Sequence, residues 1–172
     1  MKDMILELIW KMLQDGFFAA IAAIGFAAIS RPPKQAYLWC ALIAATGHSF
    51  RFLLMNGTSL HVHIVIATTL ASFLIGVMAV LLSPKTKVPA ETYLFPSLLP
   101  MIPGIYAYKT FAGLVMCMYH SSEGMFDKYF YLFASNGLTC FFILLGMAIG
   151  ATIPIFMLKK ISFQATRHKI RF

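Results

Sequence analysis

From His61 to Ser83 the chain runs almost uninterrupted in apolar residues, with Thr68, Thr69 and Ser72 as the only interior polar side chains. An uncharged apolar stretch of about 18 residues or more reads as a transmembrane helix. In hydrocarbon every backbone N–H and C=O must be satisfied within the protein, and a single segment of this length can do so only as a helix. Composition carries the same reading across the whole chain. Of its 172 residues 60% are hydrophobic and 12% charged, with a mean hydropathy of +0.79. Soluble domains run at about 45–50% apolar and about 25% charged. The length suits one bundle of a few helices and leaves no room for a second folded domain.

The rest of the chain divides around that run. Residues 1–14 place Met4, Ile5, Leu8, Ile9 and Met12 on one face and Lys2, Asp3, Glu7 and Lys11 elsewhere, an amphipathic lead suited to the interface. Asp3, Glu7 and Asp15 stand where a signal peptide would carry positive charge, so the N-terminal segment reads as retained. Within residues 15–158, the expected transmembrane domain, spans fall at about 5–30, 35–55, 61–83, 92–116 and 129–158. Arg31-Pro32-Pro33-Lys34, Asn56-Gly57-Thr58-Ser59, Pro84-Lys85-Thr86-Lys87 and the polar stretch His120–Lys128 read as the connections between them. Residues 159–172 form a basic tail. The expected fold is therefore an all-α integral membrane protein with about five transmembrane helices.

Two spans carry packing signals. In the first, Ala19, Ala23 and Ala27 recur at every fourth position, and Gly16 and Ala20 form a second small row. In the fifth, Gly146 and Gly150 make a GxxxG pair. Small rows let helices approach closely in lipid. The fourth span is irregular, with Pro96, Pro100 and Pro103-Gly104 in its first half, which predicts a broken helix. Broken helix is tolerated at membrane depth where it is buried in protein or lines a wet cavity, and transporters use such breaks to expose backbone groups to substrate.

The basic residues explain the net charge of +8. With five spans, Arg31, Lys34, Lys85, Lys87, Lys159, Lys160, Arg167, Lys169 and Arg171 fall on one side, and Lys2, Lys11, Lys128 and the acidic Asp3, Glu123 and Asp127 on the other. The positive-inside rule makes the first side cytoplasmic, with the N-terminus outside and the C-terminus inside. The charge is then a topology signal facing anionic lipid, and nucleic acid is not expected as a partner.

Against this background the segment Trp39–Met55 is unusual, because it holds His48 and Arg51 within an apolar span. Spaced i and i+3, they share one helical face, which Ala41, Ala44 and Ala45 continue. Ionisable groups at this depth are costly and point to function. At 1.5 Å per residue, Arg51 lies about 6 Å and His48 about 10 Å below the outer end of the second span. Lys109 in the fourth span and Asn136 in the fifth each lie about 10 Å below theirs, and Asp15 descends from the same side in the first. Asp15, His48, Arg51, Lys109 and Asn136 are thus expected to form a polar lining for substrate and proton, with the break at Pro100, Pro103 and Gly104 beside it. Arg51 or Lys109 would hold a carboxylate; Asp15 or His48 would exchange a proton. Arg51 is shallow enough to snorkel to the surface instead, which makes His48 the sharper candidate. Cys40, Cys117 and Cys140 show no CxxC spacing, so neither a metal nor a disulfide framework is expected, and no cofactor is required.

Gln14-Asp15, Ala19-Ala20, Gly25-Phe26-Ala27, Trp39-Cys40-Ala41-Leu42, Gly47-His48-Ser49-Phe50-Arg51 and Pro100-Met101-Ile102-Pro103-Gly104 occur in this order. The set resembles the threonine/serine exporter (ThrE) family, specifically its small YjjB-like membrane subunit. The resemblance extends from Gln14 to Pro154 and takes in Asn136, Ile149-Gly150 and Ile153-Pro154. It implies a multi-pass exporter subunit of the bacterial inner membrane, with threonine and serine as substrates of the long forms and succinate-type dicarboxylates exported by a two-subunit form. It also implies a larger YjjP-like membrane partner carrying the other half of the fold, and a homo-oligomer is compatible with it. The charged lead and the long basic tail depart from the family pattern.

Two other classes compete with a transporter. A non-transporting assembly subunit would use the polar cluster only to pin helices together. A membrane enzyme is disfavoured, because HExxH, GxSxG and paired intramembrane Asp residues are absent, and there is no P-loop for an ATPase motor.

Overall fold

The computed structural model describes residues 2–57, 61–120 and 122–158. The described chain is all-helical: α1 Lys2–Ser30, α2 Lys34–Asn56, α3 Ile64–Thr86, α4 Ala90–Leu98, α5 Gly104–Tyr119 and α6 Glu123–Met157, with a single 3-10 turn Leu99–Met101 between α4 and α5. Helices α1, α2, α3 and α6 are each long and apolar enough to cross a membrane. The segment from α4 to α5 makes a fifth if the bent pair is one span, its two parts meeting at 51°. The basic tail expected at 159–172 lies outside the described residues.

The amphipathic lead and the first span are one continuous helix of 29 residues, ended by Arg31 at a φ of 47° followed by Pro32 and Pro33. Two expected connections are helical instead. Helix α3 does not stop at Ser83 but continues through Pro84 to Thr86, where Lys87 closes it in the left-handed conformation at φ 57°. Proline removes one intrahelical donor, and a last turn tolerates that loss better than a helix interior. Local side-chain bonds offset it: Thr86 Oγ1 donates to Leu82 O at 3.1 Å and Ser83 Oγ to Val88 O at 2.7 Å. Likewise the polar stretch His120–Lys128 is a connection only as far as Ser122, because α6 already begins at Glu123. Polarity there marks the head of a helix emerging from the apolar region. At 35 residues α6 is about 52 Å long, well beyond the hydrocarbon thickness of about 30 Å.

Packing follows the small residues. Helices α3 and α6 form the most extensive contact. A side-chain carbon on Gly150 would collide with Ser72 Oγ and Thr69 O, and one on Gly146 with Thr69 Oγ1. The GxxxG pair is therefore the face on which α3 sits. Helices α1 and α2 form the next contact, with Ala19, Ala23 and Ala27 buried in it. Gly16 belongs to this same buried face, whereas Ala20 is only half-buried, so the two rows expected in α1 are one seam. Helix α4 packs among α1, α2 and α3. It is tied there by Ser97 Oγ, which donates to Cys40 O at 3.0 Å, and by Tyr93 Oη, which donates to Thr86 Oγ1 at 2.8 Å. Helix α5 leaves that group and packs on α6. Cys40 is buried, while Cys117 and Cys140 are half-buried, and all three thiols are free.

Candidate functional site

The site begins at Gly16. Without a side chain there, α1 comes so close to α2 that an added carbon would lie 2.6 Å from Ser49 Oγ and 3.3 Å from Ala45 O. Its neighbour Asp15 therefore reaches the second helix. Asp15 Oδ2 lies 3.2 Å from His48 Nδ1, a contact between helices separated by 33 residues of chain. Ser49 Oγ donates to Met12 O at 3.4 Å one turn away. His48 is only 5% exposed, and its Nε2 has no hydrogen-bond partner among the described residues.

Arg51 approaches the same ring atom. Its Nη2 lies 3.4 Å from His48 Nδ1, one helical turn along α2. One ring nitrogen cannot donate and accept at once. With a proton on Nδ1 the ring donates to Asp15; with Nδ1 bare it accepts from Arg51. The three side chains thus form a chain with two alternative bonding patterns. Arg51 is half-buried, and its guanidinium is turned toward His48.

Arg51 also connects this chain to a cleft of about 190 Å³. The cleft is lined by Arg51, Thr68, Ile143 and the whole segment Pro100–Tyr106, together with Met55 and Ile64. Pro100, Pro103 and Gly104, singled out from the sequence as the helix break, are therefore at the wall of a cavity that Arg51 shares. Drug-sized ligands occupy pockets of about 300–1,000 Å³, so this smaller space suits a metabolite of few heavy atoms. Among the described residues no acidic side chain lines it.

The structure does not bring Lys109 or Asn136 to this cluster. Lys109 is exposed on α5, and Asn136 on α6 donates from Nδ2 to Leu132 O at 2.7 Å within its own helix. Conversely, sequence reasoning did not single out Thr68 as a site residue. Thr46, Thr69, Thr86, Thr110, Thr139 and Thr152 each return their hydroxyl to the carbonyl four residues earlier, the usual local solution for threonine in an apolar helix. Thr68 is fully buried and its Oγ1 has no partner among the described residues. The only signal in the sequence was its place as an interior polar group of an otherwise apolar span. Among the described residues no group of three or more His, Cys, Asp and Glu side chains is arranged to hold a metal ion.

Long apolar helices joined by small-residue seams, with buried His48 between half-buried Asp15 and Arg51 near the bend from α4 to α5, define an all-helical polytopic membrane protein. Residues 15–157 match the family described as "Threonine/Serine exporter, ThrE", and the chain belongs to that family. It is also 35% identical over 144 residues to a protein of Haemophilus influenzae described as "Uncharacterized protein". That match covers 84% of this chain and 46% of the relative, so the chain spans about half the length of the curated relative it matches. No solved structure matches it.

Proposed function

We propose that this chain is a membrane subunit of a secondary, proton-coupled exporter of small carboxylate-bearing metabolites, threonine and serine or a dicarboxylate such as succinate. The observation that carries this reading is the buried His48 ring, whose Nδ1 faces both Asp15 Oδ2 at 3.2 Å and Arg51 Nη2 at 3.4 Å. A proton on Nδ1 engages Asp15 and leaves the Arg51 cation free for a carboxylate. Loss of that proton engages Arg51 and leaves the Asp15 anion free. Protonation thereby changes which charge is available to a substrate, and proton coupling needs such a link.

The helices are oriented with the basic loops toward the cytoplasm, N-terminal end outside and C-terminal end inside, in a bacterial inner membrane. A larger YjjP-like membrane subunit completes the exporter. In cells carrying both subunits, Asp15→Asn, His48→Ala and Arg51→Ala should each lower export per molecule of complex. Normal export at normal protein level in all three would remove the cluster from the mechanism.

The Asp15–His48 contact also ties α1 to α2, which favours a second reading as a non-transporting assembly subunit. That reading expects the same substitutions to reduce the yield of complex and leave the rate per complex unchanged.

A further inference from the structure

We infer that the cleft beside Arg51 is a carboxylate-binding subsite built from three kinds of donor: the Arg51 guanidinium, the Thr68 hydroxyl and the first backbone amides of α5. Each is on a different helix. Helix α5 starts at Gly104 after Pro103, with no side-chain cap. Gly104 N donates to Ile102 O at 2.8 Å and Ala107 N to Pro103 O at 3.1 Å. The amides between them, of Ile105 and Tyr106, have no acceptor among the described residues, and both residues line the cleft. A 16-residue helix presents partial positive charge at that end. Thr68 supplies the independent sign of a ligand. It lines the same cleft, and among the described residues its buried hydroxyl has neither taken the back-bond open to it nor found another partner. A buried hydroxyl without a partner is costly, and a bound carboxylate oxygen would accept its hydrogen bond.

The donors suit an anion, and among the described residues no Asp or Glu lines the cleft. Arg51 belongs to both sites. Its guanidinium has five N–H donors in a fork, and when His48 Nδ1 donates to Asp15 they are free to face a carboxylate in the cleft. The subsite rests on the exporter reading only for what the ligand is for; binding itself can be measured without transport.

The test is calorimetric titration of the full chain in lipid nanodiscs with threonine, with 3-hydroxybutyrate, which keeps the carboxylate and lacks the amine, and with threoninol, which keeps the amine and lacks the carboxylate. The two carboxylates should bind and threoninol should not. Thr68→Val should weaken carboxylate binding about tenfold, and Thr68→Ser should restore it. Arg51→Gln should weaken it about a hundredfold. Equal binding of threoninol, no saturable binding of either carboxylate, or unchanged affinity in well-folded Thr68→Val and Arg51→Gln would each overturn the proposal. Carboxylate binding that survives while export by the complex is absent would leave the subsite standing and count against the exporter reading. Export that persists in Arg51→Gln and Thr68→Val would sink the subsite alone.

Discussion

Two regions of this molecule carry polar residues in apolar helices and treat them differently. In the group formed by α1 to α4, Asp15, His48 and Arg51 come from two helices and meet within hydrogen-bond distance. In the arm formed by α5 and the first half of α6, Lys109 stays exposed and Asn136 turns back onto its own helix. The difference is lateral. Glycine and alanine seams draw α1 onto α2, so a side chain at the right depth also finds a neighbour. The 51° bend after α4 carries α5 away from that group to α6, and depth alone then brings nothing together. Shared depth is necessary for an intramembrane site, but helix-to-helix distance decides whether one forms.

The sharpest way to break this comparison is to exchange the roles of the two regions in a transport assay. His48→Ala should lower export about a hundredfold or more at constant protein level, in line with loss of a positioned acid–base group. Lys109→Met measured alongside should leave export within about twofold, as expected of a charge that positions no substrate. Equal losses from the two would mean that α5 closes onto the α1–α4 group in the working complex.

The seams can be tested next by stability. Gly150→Leu forces bulk into Ser72, Thr69 and the Phe73 backbone, with Phe73 N already at 3.2 Å from where a first carbon would sit. Overpacking costs about 1–3 kcal/mol, and backbone neighbours that cannot rotate away put this site at the upper end. Gly25→Ala, where nothing lies within 4 Å, should be neutral or stabilising in the same melting experiment. A smaller effect separates the tied helix from the free one. Ser97→Ala removes the buried bond to Cys40 O that holds α4 and should cost about 1 kcal/mol in denaturation. Smallest of all, Asn136→Leu should change stability by no more than about 0.5 kcal/mol, because its amide bonds only within α6.

Much of the fold was legible residue by residue. The apolar runs, the Pro32–Pro33 stop, the break around Pro100–Gly104 and the GxxxG face all act through local chemistry, and local chemistry is written in order along the chain. Misreadings came where local signals compete. Pro84 and the polar head of α6 look like loops, but a proline in a last turn and polar residues outside the apolar region are both compatible with helix. The site was half legible. His48 and Arg51 share a face by spacing, but that Asp15 and Arg51 both address one His48 ring nitrogen depends on rotamers and on how α1 meets α2. In sequence Thr68 is like any helix threonine; only its missing back-bond sets it apart.

By itself the sequence determined that this chain is a set of long apolar helices and which of them carry costly polar side chains, because hydropathy and helical periodicity are properties of single segments. Only the tertiary structure decided which of those side chains meet. That depends on how closely α1 approaches α2 at Gly16 and on which way α5 turns after Pro103, and both are set by packing between segments far apart in the chain.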